Sequence, residues 1–289
     1  MITELTKKIG SNILKISFIE KRFNKKDFLL NNINFWPLIR LQFFQGTQIE
    51  RKKKKNSKFF FLIFLQKLFI FINHIFNYFS YKLKLKKIKN SNIKHLFFSD
   101  KKFYYNKFKG KYINNLIDPY FDLLTNEKKL KIEIIQNVIP NKSKLFKPTY
   151  LNLYSIGIFN LIFYKFNFLS KIRFRNEFYL RMNKIEKKYL LKLNKFQIYK
   201  DLENIILQST IFEKILKNIN PKIVYISCYY SLENFAISYA CNKLKIKCID
   251  IQHGGIENYH LMYSNWNSVN INKNNLLPRN FMIWDKRQI

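Results

Sequence analysis

Residues 221–255, PKIVYISCYYSLENFAISYACNKLKIKCIDIQHGG, leave the chain few architectures to choose from. The β-branched apolar run at 223–227 follows Asn220 and Pro221, the pattern of a buried strand with a turn ahead of it. Ser231 stands where a helix would be capped, and Glu233 falls in the first turn, where an acid suits the helix dipole. Leu232, Phe235, Ala236, Tyr239 and Ala240 recur at helical spacing and give that helix one apolar face. A second short strand at 247–252 ends on His253, Gly254 and Gly255. Strand, helix and strand within about thirty residues make a βαβ unit, whose strands run parallel. Ligands of open α/β sheets bind at the loops leaving the carboxyl ends of strands, and the HGG loop is such a place.

Hydrophobic residues make up 47% of the 289-residue chain and aromatics 18%, which is material for a sizeable core. A formal charge of +35 would ordinarily point to nucleic acid or anionic lipid. Lysine outnumbers arginine by 45 to 8, however, and alanine occurs only at 236 and 240, the usage of an AT-rich coding sequence. Much of the charge therefore follows from codon bias. A dedicated nucleic-acid binder would carry more arginine, the better bidentate phosphate ligand, so no specific nucleic-acid partner is expected. Cys228, Cys241 and Cys248 lack metal-ligand spacing and read as core thiols of a reducing cytoplasm. The N-terminus has neither the apolar core nor the cleavage site of a secretory signal.

Residues 1–92 read as a helical region. Segment 35–44, FWPLIRLQFF, sets Trp36, Ile39 and Phe43 on one face of a core-packing helix, with Pro37 near its start. The basic run RKKKKNSK at 51–58 precedes FFFLIFLQKLFIFINHIFNYF at 59–79, long enough to cross a bilayer core. Gln66, Lys67, Asn73, His74 and Asn77 form a polar stripe along it, and a central lysine opposes insertion by about 2.5–3.5 kcal/mol. Three placements stay open: on an anionic membrane surface, against the protein's own core, or across the bilayer. The equally basic flanks suit the first. Residues 93–284 read as one Rossmann-like α/β domain, a parallel sheet with flanking helices. Strands are expected at 93–99, 131–138, 223–227, 247–252 and from 281. A polar loop is expected at 100–111, helical turns at 112–124, an ambiguous, helix-leaning segment at 150–168, and helices over 173–219.

The glycines admit neither GxGxxG nor a P-loop, and Asp-x-Asp, HExxH, CxxC and GxSxG are absent, so no cofactor or metal is expected. His253 and His260 lack a third ligand. A histidine at a strand's carboxyl end, followed by two glycines, suits a general base beside backbone that a ligand can approach closely. The same residues also suit a tight turn in which His253 only bonds a backbone carbonyl.

The run ISYACNKLKIKCIDIQHGGIENYHLMY, followed by LLPRNFMIWD, resembles bacterial glycosyltransferase-like proteins of capsule, lipopolysaccharide and related surface-polysaccharide synthesis. Their recurring pattern is helix, strand, QHG, then a His and Tyr, then LP and a strand ending in W-G. HLFFSDKKFYYNKFKGKYINNLIDPYFDLL fits the front of the same domain and FWPLIRLQ its helical preface. More distantly, the His-Gly is similar to that of CDP-glycerol glycerophosphotransferases, where the histidine is thought to act as base. The resemblance covers roughly 30–285, most specifically 240–263, and Asp285 stands where the family more often has glycine.

The resemblance implies a GT-B-type architecture, two Rossmann-like domains facing one cleft, the first holding acceptor and the second the nucleotide donor. This chain would be the first, with the donor domain missing after 289 and a separate chain a candidate to supply it. His253 would be the base, Gln252, Gly254 and Gly255 would shape the cleft, and Glu257, His260 and Tyr263 would line it. The implied reaction moves a sugar from a nucleotide-sugar donor to a glycan or lipid-linked hydroxyl without metal. Its place would be cytoplasmic, peripheral at the inner face of the cytoplasmic membrane. The competing reading is a noncatalytic basic membrane- or RNA-binding module, carried by 51–90.

Overall fold

The computed structural model describes residues 2–22, 24–46, 83, 86, 92–100, 104–135, 149–152, 168–253, 260–263, 266 and 274–283. The expected surface helix at 59–79 lies outside the described residues, as do Gly254, Gly255, Glu257 and Asp285. Among the described residues no helix is long and apolar enough to cross a membrane.

The chain opens with α1 (Ile2–Lys21), one long helix within the expected helical region. A 3₁₀ turn, Lys25–Phe28, and a small antiparallel pair, β1 (Leu29–Leu30) and β2 (Ile33–Asn34), lead to α2 (Trp36–Gln45). Then come β3 (His95–Asp100), β4 (Tyr104–Phe108), β5 (Lys111–Asn114), α3 (Asp118–Leu123), β6 (Lys129–Ile135) and β7 (Thr149–Asn152). Helices α4 (Phe168–Tyr189) and α5 (Lys195–Ile219) precede the βαβ unit, β8 (Ile223–Ser227), α6 (Leu232–Leu244) and β9 (Lys247–Ile251), and β10 (Asn280–Met282) follows. Two local expectations change. Residues 104–114 form a hairpin that takes in most of the expected 100–111 loop and the start of the helical turns expected at 112–124, and 149–152 is a strand where the pattern leaned to helix.

Six strands form one sheet in the order β10-β9-β8-β3-β6-β7, and every neighbouring pair is parallel. Counted by chain order within the sheet, this is 3-2-1-4-5-6 from the β7 edge, the doubly wound order of Rossmann-like sheets, which reverses between β3 and β8. The Ser231 cap sits as read, and Asn220 proves to cap the helix before the strand. Ser231 Oγ accepts from the Asn234 amide at 3.2 Å, and α5 ends at Asn220 in the left-handed region, directly before Pro221.

Alternate residues serve two cores, as a sheet covered on both faces requires. Leu96, Phe98, Val224, Ile226 and Cys248 face the larger core with α4, α5 and α6. Ile16, Ile19, Trp36 and Ile39 belong to that core too, so residues on either side of position 92 share it. Phe97, Tyr225, Ile249 and Ile251 face the smaller core under Ile117 and Phe121. There Lys131 is buried with its Nζ 2.5 Å from Asp118 Oδ1 and 3.7 Å from Glu133 Oε1. Asn114 Nδ2 donates to Ser99 Oγ at 2.7 Å and fixes the hairpin base to the end of β3. The three cysteines are buried free thiols.

Candidate functional site

β8 and β9 lie side by side, so their carboxyl ends bring two loops together. The first loop runs from Cys228 through Tyr230 to the cap of α6. Cys228 takes a φ of 60°, and the Ser231 amide donates to its carbonyl at 3.1 Å, which turns the chain sharply enough to aim Tyr230 across the sheet end. The second loop carries His253. Gln252, just before it, is buried, and its amide donates to the Met282 carbonyl at 3.0 Å, so it extends the β9–β10 pairing.

Five polar side chains then meet in a line. Asp250, fully buried near the end of β9, accepts from the Tyr263 hydroxyl at 2.7 Å. The same hydroxyl lies 3.1 Å from His253 Nδ1. His253 Nε2 lies 3.0 Å from the Tyr230 hydroxyl, which is also 3.3 Å from His260 Nε2. His260 stacks on Phe44 of α2, with ring centroids 4.9 Å apart. His253 itself is half-buried, so it reaches the protein surface instead of being sealed in the core.

Electrostatics follow from depth. Burial pushes the Asp250 carboxyl up to about 8, against the opposing pull of the Tyr263 hydroxyl and the Tyr229 amide. Burial raises Tyr230, and burial followed by the neighbouring Asp250 charge raises Tyr263, so both phenols keep their protons throughout the physiological range. Burial also holds His260 below the usual imidazole value, which favours its neutral ring.

Residues 260–263 and Trp266 are held from the N-terminal helices and from the Tyr229 loop. Arg40 of α2 donates through Nε to the Leu261 carbonyl at 3.0 Å, pairs with Glu20 at 2.5 Å, and lies 3.9 Å above the Trp266 ring. Tyr229 donates to the Met262 carbonyl, as does Trp266 Nε1.

Of the residues expected from sequence, the structure brings His253, His260 and Tyr263 together and places Gln252 beneath them. Gly254, Gly255 and Glu257 are not described. His253 meets two tyrosine hydroxyls. Sequence reading missed Asp250 and Tyr230. Asp250 is an acid inside the apolar run CIDI, and Tyr230 follows a strand whose parallel neighbour ends on the histidine; both signals were there to use. Among the described residues no cluster of three metal-type ligands occurs. The arrangement can position an imidazole, select its tautomer and pass a proton along a line of hydroxyls. Comparison with family models, curated proteins and solved structures finds no match to the chain.

Proposed function

We propose that the chain is the acceptor-side, Rossmann-like part of a GT-B-type glycosyltransferase of surface-polysaccharide synthesis, with His253 as its general base. One observation carries the reading: an imidazole at the carboxyl end of β9, beside the switch-point strand β8, half-buried and tethered through Tyr263 to a buried carboxyl. Under this reading the acceptor is a glycan or lipid-linked hydroxyl, and its donor is a nucleotide-activated sugar. The nucleotide end of that donor is held by a second Rossmann-like domain.

The step balances without metal. The acceptor oxygen bonds to the anomeric carbon as the bond from that carbon to the phosphate oxygen of the nucleotide breaks, and the electron pair leaves with the phosphate. The acceptor proton passes to His253 Nε2. Tyr230 accommodates this by turning its own proton toward His260 Nε2, 3.3 Å away. The resemblance of 240–263 to surface-polysaccharide glycosyltransferases supports the same assignment.

The test is transfer of labelled sugar from a panel of UDP-, GDP- and CMP-sugars into the glycan and lipid fractions of cell extracts expressing the full chain. His253→Ala is expected to lower the chain-dependent rate at least about a hundredfold with the fold intact by circular dichroism. An unchanged rate removes the base role. With the donor-side domain supplied in the same extracts, no chain-dependent transfer from any donor removes the glycosyltransferase reading.

A further inference from the structure

We infer that the β4–β5 hairpin is a membrane-contacting finger whose tip, Phe108 with Lys107, Lys109 and Lys111, seats in the headgroup layer of an anionic leaflet. The hairpin pairs with no other strand among the described residues. Its turn is the tightest available: Phe108 faces Lys111 across two residues, Lys109 at φ 49° and Gly110 at φ 74°, the type I′ geometry that matches strand twist. Along β5 burial falls from Asn114, buried at the base, to the exposed 107–111 tip, where Phe108 is 50% exposed. A short two-stranded ribbon therefore carries a half-exposed apolar ring at its tip.

The charge around that ring is of one sign. Residues 101–117 contain five lysines and no acid. Lys107 Nζ lies 4.9 Å from the Tyr112 ring and Lys109 Nζ 5.4 Å from the Phe108 ring, so both cations stand over aromatic surface and not over carboxylates. A ring of lysines around one apolar tip matches a layer of phosphates above acyl chains, where aromatic residues bury to about 5–10 Å and each lysine adds electrostatic attraction. Single-stranded nucleic acid fits less well, because each of these two ring faces is already overlaid by a lysine and bases need open rings to stack on.

The hairpin leaves the sheet at the carboxyl end of β3, its base bonded to Ser99, and so protrudes from the same edge as His253. Seating the tip turns that edge toward the leaflet, where a lipid-linked acceptor lies. Only this last consequence rests on the proposed transfer reaction.

The experiment places a reporter at the tip. Phe108→Trp in the full chain is mixed with vesicles of phosphatidylcholine, alone or with phosphatidylglycerol, and the emission of the three native tryptophans is subtracted using the unsubstituted protein. On phosphatidylglycerol vesicles the added tryptophan is expected to shift to the blue and to be quenched by shallowly brominated lipid; on pure phosphatidylcholine it stays unchanged. Replacing Lys107, Lys109 and Lys111 together by Gln is expected to weaken partitioning roughly a hundredfold, about fivefold per lysine. Vesicle binding with an unmoved, unquenched tip reporter overturns the inference, as does undiminished binding by the triple variant. A reporter that answers poly(U) but not vesicles overturns it in favour of RNA. His253→Ala should insert as the parent does, so insertion and transfer fail independently.

Discussion

Tyr263 has one hydroxyl proton and two neighbours within reach of it, and that fixes the chemistry of His253. With Asp250 ionised, the 2.7 Å contact takes the proton, Tyr263 must accept from Nδ1–H, and the imidazole lone pair is left on Nε2, facing Tyr230. With Asp250 protonated, the carboxyl donates to Tyr263, Tyr263 donates to Nδ1, and the proton moves to Nε2. The acid therefore selects the tautomer, and only its ionised form gives a base at the nitrogen nearer Tyr230. Because burial places this titration near 8, raising the pH through about 8 should convert His253 from the Nε2–H to the Nδ1–H form. Nitrogen-15 spectra of labelled imidazoles would show Nε2 moving toward the unprotonated position over that interval. Asp250→Asn should abolish the step and leave one tautomer at all pH values above imidazolium formation. A step of the same size in the Asn variant would assign it to another group and break the link between Asp250 and His253. Any base-dependent rate should rise across the same interval.

The loop that presents Tyr230 depends on how α6 begins. Ser231 Oγ accepts from the Asn234 amide at 3.2 Å, while Asn234 Nδ2 reaches back to the carbonyls of Ser227 at 2.6 Å and Cys228 at 3.2 Å. Ser231→Ala removes the first of these bonds and should cost about 1 kcal/mol, read as a lower urea midpoint with an unchanged slope. Ser231→Asp should keep most of that stability. If the Ala variant melts like the parent, Asn234 alone holds the turn. This unit was the most legible part of the chain because three local signals agreed: Pro221 before the strand, Ser231 before the helix, and a short, largely apolar run for each strand. The β4–β5 hairpin was illegible for the opposite reason. Its tight turn uses Lys109 in the left-handed region instead of Asn, and its strands carry lysines where a buried strand would be apolar, so composition read as loop. Asp250 was overlooked because strand patterning treats an acid in an apolar run as noise. Its meaning appears only when Tyr263, from a later loop, is found beside it.

At the scale of the whole molecule, the site is closed by the far end of the chain. Arg40 and Leu261 are 221 residues apart, yet the guanidinium joins the Leu261 carbonyl to Glu20 with both charged side chains completely buried. Trp36 Nε1 adds a bond to the same Glu20 oxygen at 3.1 Å, and the Asn34 amide donates to Asn275 at 3.1 Å. None of this long-range coupling is visible in a local pattern: FWPLIRLQFF shows one apolar helix face, and an arginine within it gives no hint of its partners. A buried ion pair need not add net stability, but removing one partner strands the other charge in the core. Arg40→Ala should therefore cost about 3–5 kcal/mol, leaving Glu20 and the Leu261 carbonyl without their cation. Replacing both charges, Glu20→Leu with Arg40→Met, should recover much of that loss. The two variants also separate stability from function. The double variant restores packing but not the bond to Leu261, so it should fold while residues 260–263 lose their Arg40 tether to α2 and keep the Tyr229 bond to Met262. In that protein the pH step of the His253 imidazole should blunt or vanish, because Tyr263 is no longer held between Asp250 and the ring. A double variant that keeps the full step near pH 8 would show that the network on β9 organises itself, and that the N-terminal helices serve only the core.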